Sequence, residues 1–199
     1  MKIIKQNWKW IQKPNLPLEI IEQCGRTCYK SEDKITSDSA GKFVKVILKN
    51  GHESVIEHVS ASVRFITNRG VTHELVRHRL CAFSQESTRY VKYDGEMEFI
   101  QPVWWTQLNR SQQIKFEESL KDAEWRYQDL LLNGWRPEQA REVLPNALKT
   151  EIIVTANLRE WRHIFKLRTS NAAHPQIREL MRSCLKGFKK EIPILFDDC

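Results

Sequence analysis

The segment from Arg77 to Tyr90 has the densest group of side chains that could do chemistry. It reads RHRLCAFSQESTRY, with three arginines and one histidine within thirteen residues. Arginine presents a planar fork of donors that suits phosphate oxygens and the imide edge of a pyrimidine, and the Ser, Thr and Gln side chains of the second half can also donate to phosphate. A solvated basic helix end would explain the RHR tripeptide alone. The whole segment instead indicates a mononucleotide site.

A second group lies upstream, in the segment GHESVIEH from Gly51 to His58. His52 and His58 are six residues apart with Glu53 and Glu57 between them, so a metal site has to be considered. The HExxH spacing of a helical zinc site is absent, however. We therefore expect no metal site here and favour a turn that contacts a cofactor.

The third group begins with Arg141 and continues through a strand that leads into a helix at Asn157. At about 100° per residue, Asn157 and Arg168 fall on one side of that helix, whereas Arg159 and His163 share another. One helix could therefore serve two ligands.

The hydrophobic periodicity predicts an α+β fold. Alternating apolar residues predict a strand over 59–65, and a β-branched run predicts another over 148–156. Helical spacing predicts helices over 17–29, 38–49, 111–133, 157–168 and 176–190, with a short helix opening at Gly70. On two of these helices, Arg162 and Arg178 are interpreted as ordinary surface arginines. Regular βαβ alternation is absent, which disfavours a doubly wound sheet. No glycine-rich phosphate motif occurs either, so side chains must hold any phosphate.

Composition limits the class of protein. The chain has 199 residues, of which 41% are hydrophobic and 29% are charged, and this predicts a single globular domain over 1–199. No apolar run is long enough for a membrane span, and no signal peptide is evident. Five cysteines without CxxC spacing predict neither a disulfide framework nor a zinc ribbon, so we expect a reducing, cytoplasmic location. The net charge of +7 fits nucleic acid, an anionic surface or small phosphorylated ligands, and the charge alone does not distinguish them.

The three groups together resemble flavin-dependent thymidylate synthases. The RHR-x7-S pattern with its trailing RY, the Gly51 segment and the Arg141 to Arg168 block occur in the family's order. Some positions depart from the family pattern: Ser84-Gln85 stands where many members have Asn-Glu, Glu74 where some have Gln, and His163 where some have Asn.

This resemblance implies reductive methylation of dUMP to dTMP. FAD would be reduced by NADPH, methylenetetrahydrofolate would supply the carbon, and reduced flavin would return a hydride. The family's fold implies an antiparallel-type central sheet flanked by long helices, in a homotetramer whose active sites are shared between subunits.

The resemblance also assigns roles to residues. Arg168 is the expected catalytic residue, because the family's arginine at this place activates the uracil ring. The expected FAD-binding residues are His52, Ser54, Arg77, His78, Arg79, Asn157, Arg159 and His163. The expected dUMP-binding residues are Glu74, Arg77, Gln85, Glu86, Ser87, Thr88, Arg89, Arg141 and Arg168. Cys81 is expected to pack rather than to attack the pyrimidine, and Ser87 is expected to bind the nucleotide.

Two alternative functions remain open from the sequence. The same nucleotide motif could serve a flavin- and folate-dependent hydroxymethylase that acts on a pyrimidine nucleotide. A different class, a basic nucleic-acid-binding protein, would use Trp and Arg residues on a polymer and would bind with steep salt dependence. We expect the enzyme, with no nucleic-acid or membrane partner.

Overall fold

The computed structural model describes residues 1–199, which form six strands and eight α-helices. The strands are β1 (Lys2–Ile4), β2 (Asn7–Gln12), β3 (Ser60–Asn68), β4 (Ala82–Gln85), β5 (Glu98–Ile100) and β6 (Lys149–Asn157). The helices are α1 (Pro17–Thr27), α2 (Ser39–Lys49), α3 (Arg69–Leu75), α4 (Arg110–Leu132), α5 (Pro137–Ala140), α6 (Leu158–Arg168), α7 (Pro175–Glu191) and α8 (Pro193–Phe196). Short 3-10 helices cover Glu32–Lys34, Glu53–His58, Trp105–Gln107 and Arg141–Val143.

The strands form two sheets. A four-stranded sheet has the order β2-β3-β6-β4, and β1 pairs with β5 in a separate two-stranded sheet. The predicted α+β class with an antiparallel sheet and helices is confirmed. The β1-β5 pair is parallel, with Ile3 opposite Phe99, and the sequence patterns did not anticipate it.

The long periodic elements lie where the sequence predicts them. The predicted helix over 111–133 is α4, and the predicted strand over 148–156 is β6, each displaced by one residue at its ends. β3 runs three residues past the predicted end at 65, to Asn68. That asparagine ends the strand because its side chain accepts a hydrogen bond of 2.8 Å from the backbone N–H of Val71 and so caps α3.

The chain divides into two compact units. Unit 1 comprises Met1–Trp8, Arg64–Arg77 and Phe83–Ile153, and unit 2 comprises Lys9–Val63, His78–Ala82 and Val154–Cys199. None of the helices is long and apolar enough to cross a membrane.

The core of unit 1 is built around one face of α4. Leu120 and Tyr127 are seven residues apart, which places them on the same side of the helix, and both are buried with Phe99 and Leu148. α4 begins sharply, because Asn109 and the third helical residue, Gln112, form reciprocal hydrogen bonds of 3.0 and 2.9 Å. This helix therefore supports unit 1 and presents no obvious chemistry.

An aromatic cluster forms the core of unit 2. Trp161 and Phe165 of α6 pack against Phe188 of α7, with both ring centroids 5.0 Å from that of Phe188. The Trp161 indole Nε1–H donates to the carbonyl of Ala61 at 3.1 Å, so the polar atom of this fully buried ring is satisfied. One face of α6 is thus fixed in the core, and the polar residues on its other faces are positioned rigidly.

Candidate active site

The site in unit 2 is organised by the start of α6. Asn157 is the last residue of β6, and its side-chain oxygen accepts a hydrogen bond of 2.8 Å from the backbone N–H of Glu160. An asparagine cap satisfies one of the free N–H groups that every helix start carries. This expected FAD-binding residue therefore also determines where α6 begins.

A cavity of about 860 Å³ lies along this helix, and we call it the α6 cavity. Of the expected FAD-binding residues, Asn157, Arg159 and His163 line it. The other lining residues are Glu53, Glu57, Leu80, Glu160, Arg162, Lys166, Thr169, Asp198 and Cys199. His52, Ser54 and Arg79 are exposed and lie outside this lining. The predicted FAD-binding residues of unit 2 are thus only partly brought together.

Acidic side chains partner the arginines of the α6 cavity. Arg159 donates to the Glu57 carboxylate, and its Nε lies 3.8 Å from a carboxylate oxygen of Glu53. Arg162 forms an ion pair of 2.7 Å with Asp198 and a longer one of 3.4 Å with Glu53. The interpretation of Arg162 as a surface arginine is wrong, because its side chain is 13% exposed and tied to two carboxylates. Arg178 is half-buried on α7, where its guanidinium donates to the backbone carbonyl of Asn171 at 2.9 Å.

His78, the centre of the RHR motif, contacts the proposed catalytic arginine. Its side chain is buried, and its Nε2 accepts a hydrogen bond of 3.0 Å from Nε of Arg168. Burial, together with the nearby positive charge of Arg168, lowers the pKa of His78 from 6.5 to about 4. The imidazole is therefore neutral at pH 7 and can act as an acceptor for the guanidinium.

Glu160 faces the other side of the same imidazole. One of its carboxylate oxygens lies 3.5 Å from Nδ1 of His78. Glu160, His78 and His163 together could be considered as metal ligands, since their ligand atoms all lie within 4.8 Å of one another. Both nitrogens of His78 already face protein groups, however, and the adjacent guanidinium of Arg168 would repel a divalent cation. The cluster is better arranged to position Arg168 than to bind a metal.

Cys81 lies inside the RHR-x7-S segment but has an environment that disfavours nucleophilic attack. Burial, with a smaller contribution from the charge of Glu160, raises the pKa of this thiol to about 12. Nucleophilic cysteines have lowered pKa values, because the thiolate is the reactive form. The raised pKa of this thiol thus supports the prediction that Cys81 packs rather than reacts.

The expected dUMP-binding residues of unit 1 form a separate polar group. Gln85 donates through Nε2 to the hydroxyl oxygen of Thr72 at 2.9 Å, which orients its amide. The Thr88 side chain is buried and accepts a long hydrogen bond of 3.5 Å from Arg141. Because Gln85, Thr88 and Arg141 are held by protein contacts, their donors and acceptors are positioned before a ligand binds.

Other residues of this group have looser or different placements. Ser87 accepts a hydrogen bond of 3.2 Å from the backbone N–H of Arg89, whose side chain forms an ion pair of 3.3 Å with Glu138. Glu74 is half-buried in α3, and Arg77 is exposed just beyond that helix.

Glu86 is occupied by other side chains of unit 1. One carboxylate oxygen accepts a hydrogen bond of 2.7 Å from the Tyr93 hydroxyl, and the other lies 3.2 Å from Nζ of Lys149. Burial and the Glu86 carboxylate raise the pKa of Tyr93 well above its usual value, so its hydroxyl stays protonated and continues to donate. The carboxylate of Glu86 therefore stabilises unit 1 and is poorly placed to contact a phosphate.

The unit boundary falls inside the RHR-x7-S segment. His78 and Arg79 belong to unit 2, whereas Arg77 and the stretch from Gln85 to Arg89 belong to unit 1. Sequence reasoning missed the carboxylates Glu160 and Asp198 as residues of the site, and it named Glu57 only for a metal site that it then disfavoured. A first-turn glutamate after an asparagine cap is an ordinary helix-start feature, so nothing in the local pattern distinguishes Glu160.

Comparisons with known proteins identify the family of this chain. Residues 10–194 match the family model described as thymidylate synthase complementing protein. The flavin-dependent thymidylate synthase of Corynebacterium efficiens is 37% identical over 200 residues, covering 90% of this chain and 78% of the relative. That of Geobacter sulfurreducens is 34% identical over 190 residues, covering 92% of this chain and 82% of the relative.

A solved structure shares the fold. The crystal structure of a UMP/dUMP methylase PolB from Streptomyces cacaoi, bound with 5-Br dUMP, superposes with a TM-score of 0.85 and 22% sequence identity. The match covers 99% of this chain and 96% of the other. The fold and the named relatives together define an α+β enzyme of the thymidylate synthase class. The chain belongs to the thymidylate synthase complementing protein family, and the resemblance to flavin-dependent thymidylate synthases is confirmed.

Proposed function

We propose that this protein converts dUMP to dTMP by flavin-dependent reductive methylation. The observation that carries the proposal is the hydrogen bond from Arg168 to His78, which holds a guanidinium at a buried, neutral histidine of the RHR motif. A preorganised positive charge of this kind can stabilise negative charge that develops on a pyrimidine ring. Curated relatives that carry the flavin-dependent thymidylate synthase name support the same reaction.

The α6 cavity is the proposed FAD site. Its volume of about 860 Å³ is within the usual range for ligand pockets, and Arg159, His163 and Lys166 offer donors suited to a diphosphate. The Arg79 and His52 side chains are proposed to join it from the exposed surface. When bound, FAD supplies the hydride, and NADPH and methylenetetrahydrofolate are the proposed co-substrates. Arg159 would then donate to a phosphate of the cofactor in place of Glu57.

The polar group of unit 1 is the proposed dUMP site. Gln85, Ser87 and Arg141 would bind the nucleotide, and Arg168 would polarise its uracil ring. Attack by a thiol is not required, because the cofactor would supply the hydride. The pKa of Cys81, which is raised to about 12, also disfavours such an attack.

A homotetramer with shared active sites is part of the proposal. Two apolar side chains of the RHR-x7-S segment are strongly exposed, Leu80 at 77% and Tyr90 at 76%, and both are suited to burial against another subunit. The segment from Gln85 to Arg89 of one subunit and α6 of another would then serve a single reaction. A cytoplasmic location remains a prediction.

The reaction can be tested with the purified protein. We expect a yellow tetramer that forms dTMP only when dUMP, NADPH and methylenetetrahydrofolate are all present. Arg168→Ala should abolish product formation while retaining bound flavin, and Arg178→Ala is the matched control, since Arg178 is also half-buried but lies on α7, outside the lining of the α6 cavity. Unchanged turnover in Arg168→Ala would remove that residue from the mechanism.

Product analysis separates the remaining alternatives. If mass spectrometry identifies a hydroxymethylated nucleotide as the product, the reaction is hydroxymethylation rather than methylation. A colourless protein that binds oligonucleotides more tightly than dUMP would refute the enzyme proposal.

A further inference from the structure

Glu160 is a buried carboxylate to which the proposed reaction assigns no role. It is 7% exposed and lies in the first turn of α6, where its own backbone N–H is capped by Asn157. Burial raises the pKa of its carboxyl group, although the nearby His163 opposes the rise. A carboxylate is costly to bury unless a partner compensates it, and the positive end of a helix compensates only in part. Glu160 therefore needs a side-chain partner.

His78 provides that partner. A neutral imidazole has one N–H donor and one acceptor nitrogen. Arg168 can only donate, so the His78 nitrogen that it contacts at 3.0 Å must be the acceptor. The proton is then on Nδ1, which is the nitrogen that faces the Glu160 carboxylate at 3.5 Å.

The opposite tautomer would place two N–H groups against each other. With the proton on Nε2, that N–H would point at the N–H of Arg168, and the bare Nδ1 would face a carboxylate. Both contacts would be repulsive. Glu160 therefore favours the one tautomer in which His78 can accept from Arg168, as an outer carboxylate does when it orients a functional histidine.

We propose that Glu160 is a positioning residue that fixes the tautomer and orientation of His78 and, through it, the guanidinium of Arg168. The inference rests on the proposed function for its effect on turnover, but the tautomer itself does not depend on it. Glu160 also lines the α6 cavity, but the proposed function assigns it no contact with dUMP. If it acts through the histidine, its loss should alter the chemical step more than the binding of dUMP or FAD.

The first experiment measures kinetics in Glu160→Gln, which keeps the shape of the side chain but removes its charge. We expect kcat to fall about tenfold or more, because the charge that favours the accepting tautomer of His78 is removed, with KM for dUMP and the FAD content changed less than about twofold. The control is Glu118→Gln, which alters an exposed carboxylate on α4 and should leave all three values unchanged.

The second experiment reads the tautomer directly. Nitrogen-15 chemical shifts of the histidine rings distinguish protonated from bare nitrogens, and the His78→Gln variant assigns the His78 signals. We expect a protonated Nδ1 and a bare Nε2 in the wild-type protein, and a mixture of the two tautomers in Glu160→Gln. The Glu118→Gln protein should give the wild-type spectrum.

The outcomes separate this inference from the proposed function. A wild-type His78 protonated on Nε2, or an unchanged kcat in Glu160→Gln, would overturn the positioning role. A fall in kcat accompanied by loss of FAD or of folded protein would overturn it too, because the role would then be structural. Wild-type protein that makes no dTMP would refute the proposed function, whereas the nitrogen shifts would still decide whether Glu160 sets the tautomer.

Discussion

Replacing His78 should remove a large part of the pH dependence of stability. Burial and the charge of Arg168 lower the pKa of this histidine from 6.5 to about 4. Between these two values the unfolded chain binds a proton that the folded protein does not, so stability falls as the pH is lowered through this window. The full effect of a shift of about 2.5 units is roughly 3 kcal/mol, of which about 2 kcal/mol should be lost between pH 7 and pH 5.

Urea unfolding of FAD-free protein, followed by tryptophan fluorescence at pH 7 and pH 5, measures this loss. The relevant quantity is the difference between wild type and His78→Gln, because all other titrating groups are common to both. His78→Gln should be less stable at pH 7 yet lose about 2 kcal/mol less on acidification. The control, His52→Gln, alters an exposed histidine and should follow the wild type. Equal pH slopes in wild type and His78→Gln would refute the argument that His78 is buried in its neutral form.

Three further substitutions test particular contacts. Cys81→Ala should keep kcat within about twofold. In the wild-type protein, the Cys81 thiol should resist iodoacetamide at pH 8, because its pKa is raised to about 12. A folded but inactive Cys81→Ala protein would restore a mechanism in which the thiol attacks. Gly25→Ala should lower the free energy of unfolding by about 1–3 kcal/mol, since a Cβ there would lie 2.4 Å from the Phe43 ring, whereas Gly95→Ala meets open space and should cost less. Glu86→Gln should cost about 1–3 kcal/mol in urea unfolding, because the carboxylate accepts from a tyrosine and a lysine, and an unchanged midpoint would contradict that role.

Local patterns explain which elements could be predicted. α4 and α6 follow from apolar residues at helical spacing, and Asn109 and Asn157 cap them through hydrogen bonds to residues only three positions away. Each of these interactions joins residues that are close together in the sequence, so the sequence alone is enough to predict them.

Shorter strands could not be predicted in the same way. β4 and β5 have four and three residues, too few for any periodicity, and only their pairing with distant strands makes them strands. In β2, Trp8 and Trp10 alternate with polar residues. This period-2 pattern is present in the sequence but is too short to predict a strand.

The amino-acid sequence by itself determined the α+β class, the long helices and the family, because periodicity and motif order are properties of the chain. The tertiary structure alone decided the partners of the charged residues. Arg162 meets Asp198 from 36 positions away, and His78 meets Arg168 from 90 positions away. Such pairs depend on how the backbone brings distant segments together, and the burial that lowers the pKa of His78 exists only once they have met.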